Sequence, residues 1–500
     1  MATISLRSGE LPKIREVNPL MASYNVEMTE VTGGTFWKRY TPEQIAGTEG
    51  FELSDLSQFA TIMEVYPPKD LSDPRLRMLA GALGPAWVRV SGSWASNTYY
   101  DFDGTTGGKA PEGFASVLTR EQWTGVLDFV KAIGGHLMVS VANSAGAHNA
   151  DGTWNPEQAK LLFDFSRDYG VPIEAAEFMN EPNALANGQY SPADYDMADY
   201  ARDQDAFFRF LRENYPGTLC VGPSASDGSD PSVPTSEVNT YRSPILDKII
   251  AFRTSELMPA LTEPADVFSY HWYNGISERG AKLIGNHWDA SEAMGERYLD
   301  VTRAACEVYV PLRDRYTPGA PMWVTETGDA GMGGDTWAST YLEVFRTANE
   351  LGTFGELTDG VLFHNTLASS DYGWLDHGDY TPRPNYWFVL LWNRLMGTTV
   401  YEAGEPTREG VHLFARSRKD GHEGVADLLI NNSATEPTVV RGADGGSLYL
   451  LDAEGTHAAN MRLNGRTLAL EADGTLPELE AVPIDGELTV PPASIAFIVL

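Results

Sequence analysis

The sequence predicts a (β/α)8 TIM barrel followed by a β-sandwich. Three observations carry this. Eight short apolar runs alternate with helical stretches between about residues 20 and 395, the pattern of a parallel sheet closed by crossover helices. From residue 398 the helical periodicity stops, and short strands follow one another between turn residues, as in an antiparallel module. A chain of 500 residues also exceeds what one ordinary core organises.

The eight strands are expected at 20–27 (LMASYNVE), 86–92 (AWVRVSG), 136–143 (HLMVSVAN), 173–180 (IEAAEFMN), 218–223 (TLCVGP), 266–273 (DVFSYHWY), 321–327 (PMWVTET) and 359–365 (DGVLFHN). Helix-like segments between them include DPRLRMLAGAL, TREQWTGVLDFVKAIG, PEQAKLLFDFSRDYG and TYLEVFRTANELG. The last three end in glycine, a frequent helix C-terminus. The connections 92–119 and 224–244 are too long for plain turns and read as functional loops. NYWFVLLWNRLMG, 385–397, is the expected last helix. The chain therefore divides into a catalytic barrel over 20–395 and a sandwich over 396–500, with 1–19 adding a strand to the sandwich.

A net charge of −33 repels nucleic acid, anionic membranes and densely sulfated polymers at long range. The nearest approach to a basic cluster is RSRKD at 416–420. No nucleic-acid or membrane partner is expected. The start, MATISLRSGELPKIREVNP, lacks the apolar core of a secretory signal, so a cytoplasmic location is expected. Cys220 and Cys306 are too few for a disulfide framework and are expected to pack in the core.

The stretch EFMNEPNALA, 177–186, carries the chemistry. An acid followed by proline ends a strand, which leaves Asn180 and Glu181 at the carboxyl end of the fourth run, where barrels of this kind place their active sites. Read alone, this is a turn with a solvated carboxylate. The other strand ends carry Glu27, Ser93, Asn143, His271, Tyr273, Glu326 and Asn365. Glu326 ends the seventh run, and strands four and seven face each other across an eight-stranded barrel. Two carboxyls converging on one bond are what glycoside hydrolysis needs: one protonates the leaving oxygen, the other attacks or activates water. Asn180 can hold a sugar hydroxyl, and His271 and Tyr273 can orient Glu326. The acid, Glu181, is expected to have a raised pKa and to stay protonated near neutral pH. The histidines form no H-x-x-x-H or Cys/His cluster, and the glycine-rich stretches lack a P-loop lysine, so no metal and no cofactor are expected. GSWAS is not a serine nucleophile elbow.

LGPAWVRVSGS (83–93), EFMNEPN (177–183), YHWY (270–273), TETGDAGMGG (325–334), NYWFVLLWNRLMGTTV (385–400) and LTVPPASIAFIVL (488–500) together resemble the heparanase and β-glucuronidase family, glycoside hydrolase family 79, of the retaining barrel clan. The resemblance runs in register from about residue 20 to the C-terminus. It implies a (β/α)8 barrel with a β-domain, a glucuronide as carbohydrate partner, Glu181 as acid/base and Glu326 as nucleophile. It further implies that the amides of Met332 and Gly333, with the Tyr372 phenol, hold the sugar carboxylate. Glu27, Ser93, Asn180, His271, Tyr273 and Asn365 fall at other sugar-contacting places.

Two departures bear on the substrate. The family pattern after the second strand is more often Gly-Gly-Thr, where this chain has Ser91-Gly92-Ser93. The segment matching the basic rim of animal heparanases, APEGFASVLTREQWTG, has a single arginine, Arg120. The leading expectation is a retaining β-glucuronidase acting on weakly charged glucuronides. Alternatives are a retaining β-glycosidase for xylosides or glucosides, an endo-acting heparanase-like enzyme, and a non-catalytic carbohydrate-binding protein.

Overall fold

A computed structural model of the chain describes residues 2–7, 11–51, 53, 55–184, 190–226, 250–403 and 409–500. Most of the expected loop 224–244 lies outside the described residues. Eight parallel strands close a barrel in sequence order: β1 (Ala22–Glu27), β2 (Trp87–Ser91), β3 (His136–Ser140), β4 (Ala175–Glu177), β5 (Leu219–Ala225), β6 (Val267–Ile276), β7 (Met322–Gly331) and β8 (Val361–His364). Every strand residue of β2 and β8 is buried, as the apolar runs require of a sheet covered on both faces.

The barrel interior is layered. At its amino end Trp87, Met138, Ala175, Val221, Val267, Trp323, Val361 and Phe363 form one apolar plug. Two residues further along each strand the alternation brings in polar side chains: Arg89 on β2, Ser140 on β3, Glu177 on β4, Ser269 on β6 and Thr325 on β7. The sequence therefore builds a dry base under a polar floor.

Helices wrap the outside. Arg120–Ala132 opens on a capping box between Thr119 and Gln122, and Glu157–Tyr169 ends on Gly170 in the left-handed conformation, φ +89°. The helix Tyr341–Leu357 does not stop at Gly352 but runs through it. A Cβ on Gly352 would lie 2.4 Å from the Phe414 ring, so this glycine serves close packing rather than termination. Segment 92–119 is also more than a loop: Thr98–Asp101 and Ser116–Thr119 pair in parallel beside the barrel.

The C-terminal residues form a nine-stranded sheet, mostly antiparallel, that includes Lys13–Glu16, and a three-stranded sheet in which Ala2–Ser5 pairs with Thr438–Arg441. Ile4, Leu413, Leu429, Val440, Val490 and Ile498 pack between the two sheets. The large sheet's other face lies on barrel helices, where Phe388 and Phe497 stack with centroids 5.5 Å apart. The segment NMRLNGRTLAL folds as a hairpin of Arg462–Leu463 and Arg466–Thr467, because Asn464 (φ +50°) and Gly465 (φ +81°) make the left-handed two-residue turn. Arg416 of the RSRKD stretch is buried, its guanidinium 4.5 Å from the Trp392 ring centroid. Cys220 and Cys306 are buried free thiols.

Candidate active site

β4 ends at Glu177, and the chain turns sharply three residues later. Glu181 adopts φ +44°, rare for a residue with a Cβ. Its N–H donates to Ser224 O at 3.2 Å, and its carbonyl accepts from Ala184 N–H at 3.0 Å. The side chain is left at the barrel mouth, 20% exposed.

Glu326 reaches the same place from β7 by a register break. Tyr270 pairs with Val324, but His271 pairs with Glu326, so Thr325 is an extra residue. Such a bulge turns two successive side chains to one face: Thr325 contacts Ser224 in the interior, and Glu326 points into the mouth. Three groups hold the Glu326 carboxylate. The Tyr273 phenol donates to Oε1 at 2.5 Å, Asn365 Nδ2 donates to Oε1 at 3.2 Å, and Arg89 Nη1 donates to Oε2 at 3.4 Å.

His271 stands between the two acids. Its Nδ1 is 3.1 Å from Glu181 Oε1 and 3.5 Å from Glu326 Oε2, while Arg89 Nη2 approaches its Nε2 at 3.2 Å. A guanidinium only donates, so Nε2 accepts and the ring proton sits on Nδ1, directed at the carboxylates. Glu181, His271 and Glu326 each bring an atom within 4.8 Å of the others. The Glu181 carboxyl lies below the usual carboxylate range, contrary to the raised value expected of an acid: burial, the largest single influence, would raise it, but the His271 hydrogen bond and charge, with smaller help from Ser226 and Arg89, together outweigh it.

Sequence reasoning missed the group beneath. Arg89 is fully buried and donates through Nε and Nη2 to Glu177 Oε1, at 3.1 and 2.6 Å, and through Nη2 to Asn180 Oδ1 at 2.7 Å. Ser91 and Ser140 also donate to Glu177 Oε1, and Ser224 donates to Oε2 at 2.5 Å. The available signal was a lone arginine inside WVRVS and an acid inside EAAEF: charges in the middle of buried strands point to a partner.

The remaining expected residues surround this centre. Asn365 Nδ2 also donates to the Tyr273 and Tyr372 hydroxyls, at 2.9 and 3.1 Å, and Asn25 Nδ2 donates to Asn365 Oδ1 at 3.3 Å. Burial, with Glu326 beside it, pushes the Glu27 carboxyl well above the usual range. Glu27 Oε2 has no hydrogen-bond partner among the described residues. It leans on the chain at Gly92, where a Cβ would fall 1.5 Å from Oε2 at φ +87°, so the Ser-Gly-Ser departure keeps the one position that must be glycine. Ser93 opens the following helical turn, half-buried, and Asn143 is turned to the Met179 sulfur. Met332, Gly333 and Gly334 have φ of +69°, +93° and +86°. Consecutive left-handed residues make a concave run of amides suited to an anion. The run is pinned by Ser370 Oγ on Gly333 O at 3.0 Å and Tyr40 on Gly334 O at 2.6 Å. Glu278, His287 and Asp335 also bring metal-ligand atom types within 4.8 Å. There Asp335 Oδ1 accepts from Glu278 N–H at 3.0 Å, so it holds the start of the helix Glu278–Ile284.

Fold and site define the class: the chain is a (β/α)8-barrel glycoside hydrolase with a β-domain. No protein-family profile matches the chain. Over 488 residues it is 24% identical to heparanase-like protein 1 of Arabidopsis thaliana, covering 86% of this chain and 84% of that one. Over 264 residues it is 26% identical to the baicalin-β-D-glucuronidase of Scutellaria baicalensis, covering 48% of this chain and 50% of that one. A 4-O-α-L-rhamnosyl-β-D-glucuronidase from Fusarium oxysporum 12S shares the fold, with TM-score 0.65 at 12% identity over 99% of this chain and 100% of that one. Along most of its length the chain is thus similar to a heparanase-like protein, and over about half of it to a β-glucuronidase.

Proposed function

We propose that the protein is a retaining β-glucuronidase working by double displacement. The observation that carries this is the spacing of the acids: oxygen atoms of Glu181 and Glu326 come within 4.8 Å of each other. Retaining glycosidases hold their carboxyls about 5–5.5 Å apart, whereas inverting ones leave about 6.5–9.5 Å for a water. Glu326, with three donors on its carboxylate, is the nucleophile. Glu181, more exposed and not hydrogen-bonded to the arginine, is the acid/base. As Glu181 takes up its proton, the His271 Nδ1–H is released to Glu326, which it reaches without moving far.

The sugar carboxylate is assigned to the Met332 and Gly333 amides and Tyr372; the Gly334 N–H is already donated to Ala330 O at 3.1 Å. The Tyr372 hydroxyl accepts from Asn365, which leaves its own proton for a ligand, and burial raises its pKa well above 10, so it remains a donor. Relatives named as glucuronidases favour the same sugar. The substrate is a carbohydrate of low charge density, since the surface of this chain is strongly acidic. Turnover of 4-nitrophenyl β-glucuronide against the β-glucoside and β-xyloside tests the reading. Hydrolysis of the glucuronide alone supports it. Preference for a neutral sugar replaces glucuronide by that sugar, and no turnover of any returns a binding protein.

A further inference from the structure

Glu177 lies four residues before Glu181 and faces the same interior, but it touches neither Glu181 nor Glu326 directly in the contacts described above. It is fully buried, as is Arg89. Burying such a pair is costly, and well-packed apolar side chains would often serve stability as well. The apolar plug directly beneath shows that this barrel can fill its interior that way. The pair is also built with unusual completeness. Donors to Glu177 come from β2 (Arg89, Ser91), β3 (Ser140) and β5 (Ser224), and Ser224 is itself tied to Ser269 on β6 and Thr325 on β7, at 2.7 and 3.0 Å.

All the atoms that Arg89 directs toward the mouth belong to the reacting centre: Glu326 Oε2, Asn180 Oδ1 and His271 Nε2. Its Nε is given to Glu177 alone, and Nη2 is shared between Glu177 and the mouth. The planar guanidinium cannot tilt toward one set without leaving the other. Its contact to Glu177, at 2.6 Å, is much shorter than its contact to Glu326, at 3.4 Å, so the inner partner sets where it sits.

We propose that Glu177 is a positioning residue for the reaction: it anchors Arg89 from below and so fixes both the placement of Glu326, Asn180 and His271 and the share of the arginine charge that reaches the two acids at the mouth. The inference rests on the double-displacement reading. Among the described residues, the charged and titratable groups facing this centre are Glu27 from β1, Arg89 from β2, Glu181 after β4, Tyr200 from the helix Met197–Asn214, His271 and Tyr273 from β6, Glu326 from β7 and Tyr372 after β8. With Glu177 ionised, its negative charge largely cancels Arg89, so the arginine acts only weakly on Glu181. Without that charge, the arginine acts in full on Glu181 and favours loss of its proton.

The test compares Glu177→Gln with Glu177→Asp in the full chain, on 4-nitrophenyl β-glucuronide. Gln keeps an acceptor oxygen for Arg89, Ser91 and Ser140, makes the amide nitrogen a donor toward Ser224 Oγ, and removes the charge; its kcat should fall at least tenfold, KM should change little, and the basic limb of kcat/KM should move to lower pH by about one unit or more. Asp keeps the charge but withdraws it by one methylene; its kcat should fall while the limb stays with that of the wild type. A Gln limb coincident with the wild-type limb overturns the proposal, as does equal damage from both substitutions tracking a lower Tm. If the Gln variant does not fold, the Asp variant decides alone: undiminished kcat at unchanged Tm overturns it. Wild-type turnover of the glucuronide is the separate check on the underlying reading, so the two failures are told apart.

Discussion

His271 donates its Nδ1 proton toward Glu181 Oε1 across 3.1 Å, and this contact decides the pH behaviour expected of the enzyme. A donor to the ionised carboxylate favours that form, and Glu181 is accordingly depressed despite burial. Glu181 must be protonated to act as the acid, so kcat/KM should fall as pH rises through its depressed pKa. The optimum is expected on the acid side of neutrality. His271→Ala removes the donor, and the basic limb should then move to higher pH by about one unit while kcat drops, since a hydrogen bond to a charged group contributes about 1.5–3 kcal/mol. A full pH profile for the two proteins checks this, and an optimum at pH 7 or above in the wild type contradicts it.

The roles of the two acids separate by rescue. Glu326→Ala and Glu181→Ala should each lose nearly all activity. Azide substituting for the missing nucleophile attacks a β-glucuronide directly and gives the α-glycosyl azide; azide attacking a glycosyl-enzyme in Glu181→Ala gives the β-glycosyl azide. Proton NMR of the products distinguishes them. Interchanged anomers would mean that the assignments are reversed.

Much of the fold was legible because the eight strands are buried on both faces and so read as mainly apolar runs; β8, with Val361, Leu362 and Phe363 in succession, is the clearest. Glu181 and Glu326 were legible as acids where strands end. What joins them was not. The bulge at Thr325 that aims Glu326 inward leaves no mark in TET, and Arg89 and Glu177, 88 positions apart, meet only because β2 and β4 flank β3 in the closed barrel. The depressed Glu181 follows from His271 arriving from β6, a contact the strand-end reading directed at Glu326 instead. Gly352 misled because a glycine within a helix and one that ends it look alike until Phe414 is seen against it.

A stability prediction concerns Asp427, in the β-domain strand Val425–Asn431. Its face of the strand also carries Val425 and Leu429, which pack between the two sheets, and burial pushes its carboxyl up to about 7. The unfolded value is about 3.9, so the folded state holds this proton more tightly. The contribution is full below pH 4 and is lost as pH rises through about 7. Asp427→Asn should therefore leave stability at pH 4 nearly unchanged and raise it at pH 8 by about 2–4 kcal/mol. Denaturant unfolding at the two pH values reads the difference, and an equal effect at both would show that the charge is not the cause.

The last prediction concerns the sugar acid. If Tyr372 and the Met332 and Gly333 amides hold a carboxylate, a neutral sugar leaves those donors unmatched, and discrimination can reach about 10⁴ in kcat/KM. Tyr372 is 2% exposed, its ring lies 6.5 Å from that of Tyr273 between centroids, and its hydroxyl is fixed by Asn365. Phe at this position keeps the ring packing and removes only the hydroxyl. Glucuronide turnover should fall by the equivalent of about 1.5–3 kcal/mol, the contribution of a hydrogen bond to a charged group, which is roughly 10- to 150-fold. Residual glucoside turnover should change little, because that substrate offers no charge to the phenol. Asn365 also touches Glu326, so a general disturbance of the nucleophile is the competing explanation, and it would slow both sugars alike. Parallel kinetics of Tyr372→Phe on the two nitrophenyl glycosides separate the two, and equal losses would remove Tyr372 from the carboxylate site.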